Sequence, residues 1–383
     1  MAENTITGLV PEIYEALDIV SRELTGMIPS ATLNASANSA QLGQAIRVDV
    51  EPVGNVSNIT PAMVVPDPTG QTSGFTDIII TKSRAAEFGF NGEDQLGLNT
   101  GAGYGTVRAN KIAQAIRAVT NEVETDLCGL QSTFSRAVGT AGTTPFGTAN
   151  DYTDASKALQ VLKDNGAPLQ DNQLVINTNA GVNMLGKQAN VSDAGSDSIL
   201  RQGVLLDVNG MPIRESAQVN TVAAVGTSAN AVTTAGHAVG VTSIVLKAAG
   251  TGTILAGDVI TFAGDTNQYN VITGAGAVNG ATIVIAAPGL RQALPAGDKA
   301  ISIAAVSARN MAFNRSAIVL AARAPARPAE GDMASDVIVI TDPRSGLSME
   351  FSMYQGYRKV RYEVALAWGV KNIKPEHTAL LLG

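Results

Sequence analysis

The sequence predicts an α+β fold interrupted once by an all-β segment. Three features predict it: a long helical period between Val107 and Ala137, short alternating strands on both sides of that period, and loss of any helical period from about 220 to 305. A chain of 383 residues that is 45% hydrophobic is long enough to bury more than one core.

Taken in order, Leu9, Ile13, Ala16, Leu17, Val20 and Leu24 step by three and four, so the spacing predicts a helix over 7–25 with Pro11 near its start. After Pro29 the polar run ATLNASANSAQLGQ reads as an arm, and IRVDVEPV alternates with period two from Ile46 to Val53. Residues 54–74 carry repeated Pro and Gly turn signals before FTDIIITK, Phe75–Lys82, reads as a returning strand. The two strands make a hairpin with a long tip, a length that a compact domain keeps when the tip reaches something.

Ile112, Ile116, Val119, Val123, Leu127, Leu130 and Phe134 then define the strongest helix, expected over 107–137 and on the order of 45 Å long. A second helix follows over 154–165, then a buried strand in LVINTNAGVNML that enters a short helix at Asn179. Asn209-Gly210 is the strongest short hairpin signal. From about Asn220 to Ala305 the strands SIVLKA, DVITFAG, QYNVITG, ATIVIAA and AISIAAV alternate with Gly-rich turns, which predicts an inserted barrel or sandwich. The α+β grammar resumes at Asn310, and the chain closes with strands in VIVITD, SMEFSMYQ and YRKVRYEVALAWGV and a polar tail.

Composition narrows the function classes. A net charge of −7 argues against a surface that grips nucleic acid overall. The single cysteine, Cys128, excludes a disulfide framework and a CxxC zinc pair, and its place beside Leu127 predicts an inert thiol. The acidic N-terminus and the lack of an eighteen-residue apolar run predict neither a leader nor a membrane span.

Candidate chemistry is sparse. Gly101, Gly103 and Gly105 precede the long helix, but their spacing is GxGxG rather than GxGxxG, and no strand directly precedes them. A hinge accounts for them better than a nucleotide. Three aspartates follow Ala-Gly: Asp258, Asp265 and Asp298. Their spacing does not keep the nine-residue register of calcium repeats, which leaves turn capping. His237 and His377 have no serine or cysteine elbow nearby, so no triad is predicted. Arg358, Lys359 and Arg361 form a basic cluster beside Tyr357 and Tyr362, a solvated face or a contact for an acidic neighbour. Catalytic, cofactor-binding and metal-ligating residues are therefore none.

The order of arm, long hairpin, very long helix, α+β domain, β-insert and returning strands resembles the major capsid proteins of tailed double-stranded DNA bacteriophages. Within them, Ala256-Gly257-Asp258-Val259-Ile260-Thr261-Phe262-Ala263-Gly264 is similar to a GDxI[ST]FAG signature of the coat proteins of short-tailed phages that carry a β-barrel insertion domain. Ala365-Leu366-Ala367-Trp368-Gly369-Val370 and Lys374-Pro375-Glu376 resemble the C-terminal end of the same proteins. The resemblance implies an N-terminal arm over 1–45, an extended loop over 46–82, and a peripheral domain with a spine helix over 83–149 and 331–383. It further implies an axial domain over 150–218 and 306–330 and a barrel insertion over 219–305. It implies no enzyme and no cofactor, but a subunit that forms hexamers and pentamers of an icosahedral shell in the host cytoplasm. Its partners would be copies of itself, a separate scaffolding protein, a portal, and packaged double-stranded DNA held without sequence-specific binding. No motif places a lysine and asparagine for crosslinking. The alternative is a secreted or tail-associated β-rich surface or fibre protein, suggested by the Gly/Thr/Asn-rich insert.

Overall fold

A computed structural model of the chain describes residues 10–20, 26–35, 39–50, 74–99, 103–149, 151–188, 207–219, 236–342 and 345–383, with short stretches at 56, 58–61, 205, 221–222, 225–227 and 232–233. Helix α1, Val10–Val20, buries Ile13, Ala16, Leu17 and Val20, the three-and-four stripe expected of it. Strand β1, Thr32–Ala35, follows a 3-10 turn at Ile28–Ser30. Strands β2, Ala45–Val50, and β3, Gly74–Ile79, pair antiparallel from Ala45↔Ile79 to Val50↔Gly74. Most of the expected tip, 51–55, 57 and 62–73, lies outside the described residues.

The returning strand does not run on to Lys82. It ends at Ile79, and a separate strand β4, Lys82–Asn91, begins three residues later and pairs with ten residues of a C-terminal strand. Helix α2, Gly92–Asn99, was not expected, because its sequence has no apolar stripe. Asn91 and Asp94 start it with reciprocal backbone bonds of 2.7 and 3.2 Å.

Helix α3, Tyr104–Gly129, is the expected strut, with Ile112, Ile116, Val119, Val123 and Leu127 buried along one side. At 26 residues it spans about 39 Å. It stops earlier than its period suggested. Residues 130–133 tighten into a 3-10 turn, and Phe134 is extended and buried edge-on against Phe313 at 6.1 Å. Asn270 takes the carbonyls of Gln131 and Phe134 at 3.0 and 2.9 Å, partners a continuing α-helix would have kept for itself. Strand β5, Arg136–Val138, follows.

Helix α4, Thr153–Asp164, strand β6, Asn172–Ile176, and helix α5, Thr178–Lys187, fall where the sequence put them. Asn177 caps α5 by accepting from Ala180 N at 3.0 Å. At Asn209-Gly210 both residues have positive φ, 56° and 74°, and Val208 bridges Met211 around them. Strand β7, Ile213–Glu215, runs parallel to β6.

Beyond β7 the described elements up to residue 305 are strands: β8, Val232–Thr233; β9, Ser243–Val245; β10, Val259–Phe262; β11, Gln268–Thr273; β12, Thr282–Ile285; β13, Lys299–Ile303. They pair in the order β8-β13-β10-β11-β12-β9, and among the described residues no ladder joins β8 to β9. Ile244, Ile260, Phe262, Tyr269, Val271, Ile283 and Ile301 form a core of their own.

The chain then enters β14, Arg309–Asn314, and β15, Ile318–Arg323, both wholly buried. β16, Ala334–Thr341, β17, Ser348–Gly356, and the fourteen-residue β18, Lys359–Asn372, make a meander. The expected polar tail is instead β19, Thr378–Leu382, every residue buried, set between β14 and β5. Four of its five side chains are apolar, the Thr378 hydroxyl is hydrogen-bonded to Ser135 N and the Pro375 carbonyl, and the main sheet covers both its edges, so the segment is core rather than tail.

Two large sheets result. One has six strands, β1-β15-β18-β17-β16 with β4 also on β18; the other has eleven and runs from β7 through β6, β14, β19 and β5 into the strand-only stretch. The sheets cross the domain limits expected from the resemblance. β15, from 306–330, joins β16–β18 from 331–383, while β19 and β5 join β6 and β14. The largest core lies between α1, α3 and the two sheets; a second lies beneath α4 and α5.

Candidate functional site

The hairpin β2–β3 is packed on the body by one face and carries exposed apolar side chains on the other. Alternation sends Ile46, Val48 and Ile78 to one face, where Ile78 and Ile80 are buried against Val319, Ala321 and Ala367 of β15 and β18. The opposite face carries Arg47, Asp49, Phe75, Asp77 and Ile79. There Phe75 and Ile79 are 55% and 53% exposed. Arg47 lies 3.7 Å over the Phe75 ring and 3.3 Å from Asp77.

The base of the hairpin is pinned. Lys371 Nζ donates to the Asp77 carbonyl at 2.9 Å, Gly43 N to the Ile80 carbonyl at 2.9 Å, and Thr81 N to the Trp368 carbonyl at 3.0 Å. Gly369 is what lets the chains cross: a Cβ there would lie 2.8 Å from the Ile79 carbonyl carbon and closer still to its oxygen. Trp368, fully buried, donates Nε1–H to Asp126 of α3 at 2.8 Å. Asp126 and Glu122 together hold Lys82 Nζ at 2.8 and 3.0 Å, so the start of β4, the C-terminal half of β18 and α3 are tied at one point. The hydrogen bond to Asp126 is the largest cause raising the Lys82 pKa.

The arm is tied to the same helix by a buried carboxylate. Glu124, with no exposed surface, accepts from Met27 N at 2.7 Å and Ile28 N at 3.0 Å. Burial pushes its pKa up, and these donors work against that shift. β1 then pairs in parallel with β15, Thr32↔Val319 to Ala35↔Ala322.

The residues weighed for chemistry are scattered. Gly103, φ 88°, precedes α3, and Gly105 lies within it; Gly101 lies outside the described residues. The groove beside Gly105, about 350 Å³, has Glu12 and Glu15 in its lining, and Glu12 is paired with Arg108 at 2.8 Å. Asp258 accepts from Gly226 N and Leu255 N at 2.9 and 2.7 Å. Asp265 accepts from Asn267 N and the Tyr269 hydroxyl at 2.9 and 2.6 Å, and Asp298 pairs with Lys247 at 2.6 Å. Each aspartate thus serves its own fold, with Gly257 and Gly264 supplying positive φ for the turns. Among the described residues no group of three or more His, Cys, Asp and Glu is placed to hold a metal ion. Nor is any helix there long and apolar enough to cross a membrane. His237 bridges Leu294 in the strand-only stretch and His377 lies in the turn before β19, and burial lowers both pKa values. Cys128 is buried near Ser216 Oγ, and burial pushes its thiol far up. In the basic cluster, Arg361 pairs with Glu87 and Glu363 of its own sheet, while Tyr357, 90% exposed, tips the β17–β18 turn beside Arg358 at φ 57°.

No family model and no curated protein matches the chain. Solved structures do. A chain of the cyanophage A-1(L) capsid is 10% identical over 93% of this chain and 92% of that one, with a TM-score of 0.49. The capsid of cyanophage P-SCSP1u is 10% identical over 92% and 86%, with a TM-score of 0.48. A chain of Mycobacterium phage Che8 is 14% identical over 88% and 84%, with a TM-score of 0.45.

Sequence reasoning missed two of the residues that build this region. Glu124 sits within the buried stripe of α3, four residues after Thr120 and three before Leu127, and an acid inside an apolar stripe was a readable signal. Gly369 was quoted as part of a motif, but its use depends on Ile79, 290 positions away in sequence, and no local pattern reports that.

Proposed function

We propose that the chain is a structural subunit of a phage head, a major capsid protein that assembles with copies of itself into an icosahedral shell around packaged double-stranded DNA. The observation that carries the reading is the hairpin. Its inner face is pinned to the body, and its outer face holds Phe75 and Ile79 in solvent. A two-stranded ribbon is marginal in water by itself, and an apolar face held out on a rigid base is suited to a neighbouring copy. The pinned arm and the long strut α3 supply the stiff frame such a contact requires.

On this reading the stretch 219–305 is the insertion domain, and a scaffolding protein and a portal are separate chains met in the host cytoplasm. Residues 1–45, 46–82, the paired segments 83–149 and 331–383, and 150–218 with 306–330 take the roles of arm, extended loop, peripheral domain and axial domain. The acidic balance, net −7, lets the wall enclose DNA without gripping it. No catalytic step is assigned.

Electron microscopy of the purified protein, alone and co-expressed with its scaffolding partner, tests the reading. Closed shells of uniform size are expected, and the double variant Phe75→Asp, Ile79→Asp is expected to stay unassembled with its monomer melting unchanged. Fibres, or strictly monomeric parent protein under both conditions, would overturn it.

A further inference from the structure

Helix α2 buries none of its eight residues. A helix of about two turns is marginal in water by itself, so one that persists takes its support from packing. Its inward side supplies little: Leu98 packs against the largest core, and Gln95 Nε2 lies 3.5 Å from the Tyr104 hydroxyl. Glu93 and Leu96, three residues apart, share the opposite side, where Leu96 is 73% exposed.

Beside α2 lies a groove of about 420 Å³ between β4 and β18, with Gly89, Val360, Lys359 and Arg361 in its lining. Asn91, which starts α2, lines it too, so helix and groove share one corner of the fold. A glycine inside a strand packs nothing and marks a place that another chain can approach closely. Arg361 is held by Glu87 and Glu363 of its own sheet. Lys359 and Glu93 are both exposed, and neither has an ion pair among the described residues. Tyr357 and Arg358 extend the same corner, and the Arg358 carbonyl accepts from Gly92 N at 3.3 Å, which ties the β17–β18 turn to the start of α2. An acidic helix with an outward leucine thus stands next to a basic groove with an apolar floor, and within one chain Leu96 stays in solvent.

We propose that α2 of one copy docks in the β4–β18 groove of a second copy, with Leu96 as the anchor over Gly89 and Glu93 against Lys359. The contact is a helix in a groove. Helix and groove are different surfaces of the same chain, so the contact is heterologous and repeats from copy to copy around a ring. It rests on the assembly reading above and adds to the hairpin a second place where copies meet.

Two full-chain variants, Leu96→Cys and Lys359→Cys, mixed under mild oxidation, test it directly, since Cys128 is buried. A disulfide between the two variants is expected in at least about threefold excess over the dimers that either forms alone. No excess, or a dominant Leu96→Cys homodimer, would overturn the docking. A charge exchange reads the same contact in assembly. Glu93→Lys and Lys359→Glu are each expected to raise the protein concentration at which shells appear at least about threefold, and the two in one chain to return it to within about twofold of the parent. Both side chains are exposed, so the melting of the single subunit is expected to be unchanged. Unaltered assembly of both single variants, or a double variant at least as impaired as either, would overturn the pair. If the parent forms no shell, the assembly reading fails, while the cysteine mixture, read on subunits in solution, still decides the contact.

Discussion

Replacing Gly369 with alanine puts a methyl group where the base of the hairpin crosses β18. The new Cβ would sit 2.8 Å from the Ile79 carbonyl carbon and 3.2 Å from Ile80 Cα, whereas real Cβ atoms essentially never approach within 3.0 Å. The obstructing atoms are backbone, so no rotamer change relieves them. Either the hairpin base lifts or the strain stays in place. Lifting it far enough to expose Ile78 and Ile80, both fully buried, costs about 3–6 kcal/mol at 1.5–3 kcal/mol per side chain. Accommodating an added methyl in a packed site costs about 1–3 kcal/mol. The cheaper route wins, so G369A is expected to lose about 1–3 kcal/mol and to melt a few degrees lower. Hydrogen exchange should rise in peptides spanning 74–82 and stay unchanged in α4 and α5. Gly105→Ala is the control, since a Cβ at 105 meets nothing within 4 Å, and it is expected to be neutral or stabilising by about 0.4–1 kcal/mol. If G369A matches the parent within about 0.5 kcal/mol and its exchange map is unchanged, the close crossing is wrong.

Glu124→Ala should strip the acceptor from Met27 N and Ile28 N and destabilise by about 2–6 kcal/mol, measured by denaturant unfolding, with exchange rising over 26–30. Glu124→Gln isolates the titration. Because burial raises the folded-state pKa above the unfolded value, the folded protein binds this proton more tightly. The parent should therefore gain stability relative to E124Q as pH falls from above the raised folded value to the ordinary carboxylate range, and a difference independent of pH would refute the assignment. Cys128, buried with its thiol pushed up, should react with a thiol reagent only as fast as the protein opens; prompt labelling of the native protein would contradict its placement. Trp368 is the single tryptophan, so its emission should be blue-shifted in the native state, and Trp368→Phe should cost about 1–3 kcal/mol by leaving Asp126 without one donor.

Much of the fold was legible because its signals are local. The stripe from Ile112 to Leu127 is a period of 3.6, the alternation read from Ile46 to Val53 a period of two that the strand Ala45–Val50 carries, and Asn209-Gly210 a turn whose residues accept positive φ. Of the three aspartates read as turn caps, Asp258 and Asp265 accept backbone N–H groups at their turns, whereas Asp298 pairs with Lys247. The misreadings share one cause. Phe134 keeps the helical period yet is taken into the chain's extended run by Asn270 and Phe313, and Thr378–Leu382 looks like a tail until β14 and β5 close on both its edges.

The candidate site divides in the same way. That a hairpin exists, which of its residues share a face, and that a long strut follows it were all determined by the sequence, since each depends on neighbours within a few positions. Which face is covered, what pins the base, and where the arm is held were decided only by tertiary structure. Gly369 against Ile79, Glu124 against Met27 and Ile28, and Trp368 against Asp126 are contacts between residues about 100 to 290 positions apart. Their energies come from close approach and burial, and those arise only once the sheets have brought distant segments together.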